Sequence, residues 1–384
     1  MSRWSWLWFL TSALILAMAS EVVFTFNDFT NWKLALLATE YGHRMALVAL
    51  LLACFHWSSG DRARRILAWC NVIAAMVLFV PLAQAWSYSR RLPGELKAAW
   101  GGVELRDEKP LEVAGLWLGT WKGNQQPEKM EYAHDEDGGR SLLLFRAQGA
   151  TPAPCVVAIH AGSWENKREN EFPDWSTHWA SRGYAVASMQ YRLAPKYPWP
   201  AQREDVRLAL AFLKEHAAQF GLDGSRFILL GRSAGGQISL ASAYELGDPS
   251  VRGCVSLYGP ADLVFSMAIG SHDDVLDSVR LMENYIGGGL PKAASGYINA
   301  SPYLTASAQC CPTLLLHGSR DILVWNLQSR RMAARLATLG VPHYLLEVPL
   351  GVHGFDWAYD GADGQLARYA LDQFFDTVCK MPVK

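Results

Sequence analysis

Two hydrophobic grains run along this chain. Up to about residue 89 the apolar residues form long, nearly unbroken runs; from about 128 they form short runs separated by helically periodic polar stretches. Trp4 to Ser20 carries no charge, and neither do the 24 residues from Ile66 to Ser89, a length that can cross a bilayer. Met45 to Trp57 reaches that length only if its helix begins near Leu34 and takes in Glu40, His43 and Arg44. The pattern predicts three membrane helices, at about 4–26, 36–57 and 66–88, with Trp4, Trp6, Trp8, Trp57 and Trp86 placed as interfacial aromatics.

Residues 90–127 read as a junction of short, mixed-polarity pieces punctuated by Pro93-Gly94 and Gly101-Gly102. Beyond it the period switches. Strands are expected at 141–146, 155–160, 184–191, 227–230, 253–257, 313–316 and 344–348. Helices are expected at about 174–182, 203–219, 234–246, 326–339 and 363–378. Strand alternating with helix means an α/β domain over 128–384, a mostly parallel sheet with helices on both faces. Residues 261–300 break the alternation, and Gly287-Gly-Gly289 marks a turn within them. They predict a lid-like insertion over the sheet's carboxyl edge.

Composition sharpens the division. The chain has 35 Lys and Arg and 36 Asp and Glu, yet only ten of these charges fall in residues 1–89, where seven of the 16 tryptophans lie. A net charge of -1 offers nucleic acid no basic surface. Arg62, Arg64 and Arg65 crowd the second loop and Arg3 precedes the first span. Positive-inside then places the residues after the third span on the extracytoplasmic side, although Arg90 and Arg91 pull the other way. Arg3, an apolar core and Ala17-Met-Ala19 also fit a cleaved signal peptide, which leaves the later residues on that same side. The seven cysteines have no C-x-x-C spacing and read as buried thiols.

The chemistry gathers at Phe227-Ile-Leu-Leu-Gly-Arg-Ser-Ala-Gly-Gly236: strand, G-x-S-x-G, helix, the sharp turn that lifts a serine hydroxyl above a sheet edge. Such a serine needs a base, and the base needs an orienting carboxylate. Asp321 follows the strand at 313–316, and His353 follows the strand at 344–348; both belong at the carboxyl edge with Ser233. Asp262 is a competing acid. His343 precedes its strand and falls at the wrong edge, His317 suits a brace for the Asp321 loop, and His272 with Asp273 and Asp274 reads as a solvated loop rather than a metal site. Backbone donors for a developing oxyanion are expected from Gly162 and Ser163, after the third strand, and from Ala234. Trp164 is a substrate-pocket candidate. So is Arg232, whose alternative is a structural salt bridge.

Residues 128–380 resemble an α/β-hydrolase esterase of the hormone-sensitive-lipase-like and bacterial feruloyl-esterase-like branch. The resemblance rests on His160-Ala-Gly-Ser-Trp164, Tyr191-Arg-Leu-Ala-Pro195, Trp199-Pro-Ala-Gln-Arg-Glu-Asp-Val206, Gly231-Arg-Ser-Ala-Gly-Gly236, Ser301-Pro302, His317-Gly-Ser-Arg-Asp321 and His353-Gly354. It implies serine hydrolysis of carboxylic esters with no metal and no organic cofactor. Two positions depart from it: Ala161 stands where the family's loop usually carries glycine, tolerable if φ stays negative, and Arg232 stands where Asp or His is usual. The membrane segments fall outside the resemblance. The expectation is a membrane-anchored serine esterase acting on a small-molecule or lipid ester, with Ser233, Asp321 and His353 as its triad. An amidase, a peptidase or an acyltransferase on the same triad is the alternative, as is a catalytically silent binding module. Nothing in the sequence specifies an oligomeric state.

Overall fold

The computed structural model describes residues 3–25, 27–58, 61–119, 125–136, 138–149, 152–168, 170–171, 173–290 and 292–381. The expected end of the first span at residue 26 and residues 120–124 of the junction lie outside these, as does the side chain of Trp4.

Three long helices come first: α1 (Arg3–Val23), α2 (Phe29–Trp57) and α3 (Arg62–Ala99). Each is long and apolar enough to cross a membrane. Helix α2 starts seven residues ahead of the expected span because Asp28 caps it, its Oδ1 accepting from Thr30 N (2.9 Å) and Asn31 N (3.0 Å). Gly42 lets α2 and α3 meet closely, since a Cβ there would lie 2.5 Å from the Leu78 carbonyl oxygen. Among buried apolar neighbours, Asn71 Nδ2 donates to Ser12 Oγ (3.0 Å), which pairs with His56 Nε2 (3.1 Å), linking all three helices.

Helix α3 departs from the expected junction. It runs through Pro93-Gly94 to Ala99. Proline forfeits one helical hydrogen bond, but Leu92, Leu96 and the following Trp100 are buried against the hydrolase core, and tertiary burial overrides the local breaker. Trp100 meets Phe374 at 5.1 Å between ring centroids, and Tyr88 Oη lies 3.1 Å from Tyr344 Oη.

After α4 (Val113–Leu118) comes the sheet: β1 (Glu128–Asp135), β2 (Gly138–Phe145), β3 (Ala153–Ile159), β4 (Ala185–Met189), β5 (Leu222–Arg232), β6 (Val251–Leu257), β7 (Thr313–Gly318) and β8 (His343–Val348). Between strands lie α5 (Pro173–Ser181), α6 (Ala201–Glu215), α7 (Ala217–Phe220) and α8 (Ala234–Glu245). The insertion carries α9 (Leu263–Ile269), α10 (Ser278–Ile286) and α11 (Ala294–Asn299), with α12 (Pro302–Thr305) following. Then come α13 (Leu327–Thr338) and α14 (Ala362–Lys380). The strand order is β1-β2-β4-β3-β5-β6-β7-β8, with β2 antiparallel to both its neighbours, β1 and β4, and every other pair parallel. Every expected strand is present; β1, rich in charge, was not anticipated.

Alternation along the strands divides the core. Val157, Ile159, Leu229 and Ala187 pack under α6, α8 and α13; Val156, Ala158, Ile228 and Leu230 pack under α5, α14 and the end of α3. Helix α2 also enters this domain. Glu40 Oε2 accepts from Asp363 N (3.1 Å) at the start of α14, and burial pushes the Asp363 carboxyl up to about 8. Arg320 caps the end of α1, donating to the Glu21 (3.0 Å) and Val22 (2.6 Å) carbonyls.

Candidate active site

Strand β5 delivers Ser233 to the carboxyl edge, where the chain turns into α8 with Ser233 at φ 52° and ψ −118°. That conformation is strained for a residue with a side chain. The flanking glycines are sterically required: a Cβ on Gly231 would lie 1.9 Å from Gly235 O, and one on Gly235 would lie 2.2 Å from Ile159 O.

The structure brings Ser233, His353 and Asp321 into one hydrogen-bonded line. His353 Nε2 lies 3.0 Å from Ser233 Oγ, and His353 Nδ1 lies 2.7 Å from Asp321 Oδ2. The other oxygen of Asp321 accepts from Leu323 N and Val324 N, both at 2.9 Å. Burial on its own would raise this carboxyl; the charge of His353 and hydrogen bonds from His317 and His353 outweigh it and hold Asp321 well below the usual carboxylate range. His317 braces the loop, with Nε2 at 2.8 Å from Val324 O and 3.2 Å from Asp321 Oδ2. Asp262 is engaged elsewhere, capping α9 through Phe265 N (2.9 Å) and pairing with Arg331 (2.6 Å). His343 binds Val341 O at the far end of β8, and His272 pairs with Asp277 on an exposed loop.

Across the elbow, Gly162, Ser163 and Trp164 follow one another at φ 127°, 52° and 60°. Successive positive φ values take this loop out of the extended conformation of β3. Among the described residues the N–H groups of Gly162, Ser163 and Ala234 have no acceptor, and all three residues border the cavities at Ser233. Ala161 keeps a negative φ, which is why its methyl is admitted; its N–H is taken by Glu171 Oε2 at 2.9 Å. Trp164 is buried, stacked on Tyr285 at 4.3 Å between centroids, with Nε1 donating to Gln237 Oε1 (3.1 Å).

Arg232 points away from both cavities. It is 3 % exposed, and its Nε donates to Asp356 Oδ2 at 2.5 Å. Asp356 Oδ1 accepts from Tyr258 Oη (2.5 Å), and the Tyr258 ring packs on His353 at 4.4 Å between centroids. Arg232 also stabilises the charged form of Glu171, whose carboxyl burial pushes up. One guanidinium therefore joins the elbow, the histidine loop and the oxyanion-side loop. Asp356, Tyr258 and Glu171 had no motif to announce them; Asp356, three residues beyond His353, offered only its proximity. Trp32 was missed as well. Its Nε1 donates to the His353 carbonyl oxygen (2.9 Å) from helix α2.

Two further motifs prove structural. Arg192 of the Tyr-Arg-Leu-Ala-Pro run pairs with Asp205 of the Trp-Pro-Ala-Gln run at 2.9 Å, and Ser301 Oγ accepts from Leu263 N (2.8 Å) to pin the base of the insertion.

A hydroxyl, imidazole and carboxylate in line at the carboxyl edge of a parallel sheet, beside an elbow of this geometry, define the α/β-hydrolase class. The BD-FAE family matches over residues 143–336, and the chain belongs to it. It is 28 % identical to the probable carboxylic ester hydrolase LipM of Mycobacterium tuberculosis, over 92 % of this chain and 88 % of that protein. That alignment reaches past the family match into the N-terminal helical region, which itself lies outside residues 143–336. Esterase LipQ of the same organism is 29 % identical over 58 % of this chain and 56 % of that protein. The solved esterase LipW of Mycobacterium marinum shares the fold at TM-score 0.57 and 21 % identity, over 77 % of this chain and 90 % of that one.

Proposed function

We propose that the chain is a membrane-anchored carboxylic ester hydrolase that works through an acyl-Ser233 intermediate. The carrying observation is the line from Ser233 through His353 to Asp321, at 3.0 and 2.7 Å. His353 takes the Ser233 proton as Oγ attacks the ester carbonyl, and Asp321 holds the imidazole in the required tautomer and stabilises its cation. The N–H groups of Gly162, Ser163 and Ala234 receive the oxyanion. His353 then gives its proton to the departing alkoxide, and water, deprotonated by the same imidazole, releases the acid.

In this reading residues 1–89 form the anchor, α3 carries its third span directly onto the catalytic domain at 128–384, and residues 261–300 wall the pocket. The extracytoplasmic placement of that domain is supported by its contact with the ends of α1, α2 and α3 opposite the Arg62–Arg65 loop. Ser233→Ala abolishes both turnover of p-nitrophenyl butyrate and covalent labelling by a fluorophosphonate. Labelling that survives the substitution refutes the nucleophile. Protease digestion of the domain in intact spheroplasts checks its side; digestion only after lysis puts it in the cytoplasm.

A further inference from the structure

Two cavities meet at Ser233. One, of about 190 Å³, lies beneath the insertion among Trp164, Leu263, Leu281 and Met282 and includes Ala234. The other, of about 540 Å³, opens between the His353 loop and the start of α2, with Phe29, Trp32, Leu36 and Leu37 facing His353 and Trp357. Chemistry assigns the two halves of an ester between them. The acid that protonates the leaving alkoxide must stand beside that oxygen, so the alcohol half lies on the His353 side. Among the described residues His353 borders only the cleft against α2. The acyl half is left with the cavity under the insertion.

The wall of the alcohol-side cleft is therefore supplied by a helix that continues into a candidate membrane span. It is firmly seated: Trp32 Nε1 donates to the His353 carbonyl oxygen at 2.9 Å, and a Cβ on Gly354 would touch the Trp32 ring at 3.8 Å. Its lining is mostly apolar, with Lys33 and Arg168 standing exposed at the mouth. Further along α2, Leu47 and Leu51 are outward-facing, so one helix joins the cleft to the surface that lipid would cover.

We propose that the first turns of α2 form the alcohol-side subsite and that the substrate is an ester of a lipophilic alcohol, one carrying an alkyl chain or fused rings. This rests on the roles assigned to Ser233 and His353. The test uses the full chain in phosphatidylcholine nanodiscs and compares kcat/KM for decyl acetate and ethyl acetate, which differ only in the alcohol. The native chain prefers decyl acetate by about tenfold or more, the scale of discrimination an apolar pocket supplies. Leu37→Ser on α2 and Trp357→Ala on the opposite wall each reduce that ratio at least about threefold; a merely structural role lowers both rates together and leaves the ratio unchanged. Fluorophosphonate labelling of Ser233 selects the folded variants. Referring both rates to the ester concentration in the bilayer phase, from measured partition coefficients, separates sources: a preference that persists comes from the cleft, and one that vanishes reflects partitioning into the bilayer and overturns the proposal. Equal rates for the two esters, or faster hydrolysis of an acetylated xyloside, overturn it too. Decyl acetate hydrolysis that survives Ser233→Ala refutes the underlying catalytic assignment instead.

Discussion

Arg232 sits beside Ser233 yet lines neither cavity there, and removing its charge tests what it is for. In Arg232→Met, Asp356 stays buried at 0 % exposure with its Tyr258 hydrogen bond but no counter-charge. Breaking a buried pair by deleting one partner costs about 3–5 kcal/mol, mostly because the survivor is left charged and dry. Glu171, also favoured in its charged form by Arg232, adds to that cost. The double variant Arg232→Met with Asp356→Leu removes the uncompensated Asp356 charge and recovers part of the loss, the Tyr258 hydroxyl and Glu171 having lost these partners. Tyr258→Phe removes one hydrogen bond to a carboxylate and costs about 1.5–3 kcal/mol. Unfolding in urea, with the protein in detergent micelles and near-ultraviolet circular dichroism as the signal, reads all three. Because Tyr258 packs on His353, the single variants also lower kcat with little change in KM, and the double variant, although more stable than Arg232→Met, still lacks that positioning. A loss under about 1 kcal/mol for Arg232→Met, or a double variant no better than the worse single, would falsify this account of the pair.

Four other substitutions probe the site. Asp321→Asn, which leaves His353 in the wrong tautomer, lowers kcat by roughly 10⁴, while Asp262→Asn leaves it within about tenfold; the reverse result in a fluorogenic ester assay would move the acid to Asp262. Gly162→Ala lowers kcat about 10²-fold or more, because at φ 127° its Cβ would lie 2.4 Å from Asn166 O and the donor loop must shift; full activity shows that the loop donates nothing. Burial holds the His160 imidazole down to about 4, below the ordinary 6.5, so between those values the unfolded chain binds a proton that the folded chain does not. Stability is therefore full above pH 6.5 and falls by about 3 kcal/mol as pH drops toward 4; His160→Gln flattens that part of the urea-midpoint profile, and an unchanged slope refutes the assignment.

The parts legible in the sequence were those that local chemistry dictates. Ser233 needs glycine two residues either side because backbone passes within contact distance there, so the motif and the elbow are one fact. Asp321 and His353 could be placed because strand period and chain order bring successive strand ends to one edge of a parallel sheet. Arg232 could be framed only as a choice between substrate and salt bridge, since its partner lies 124 residues further on and an isolated Asp356 carries no pattern. Pro93-Gly94 misled for a related reason: a breaker is a local signal, and Leu92 and Leu96 answer to a core assembled from α14 and the sheet. Trp32 is the most instructive omission. In the sequence it is one more tryptophan among apolar residues near a membrane, and its chain neighbours say nothing of His353, 321 positions away. The hydropathy that makes α2 a candidate membrane span is also what made its first turns look inert. The same apolar side chains suit both a bilayer and a lipophilic alcohol, and only the fold brings them to the imidazole.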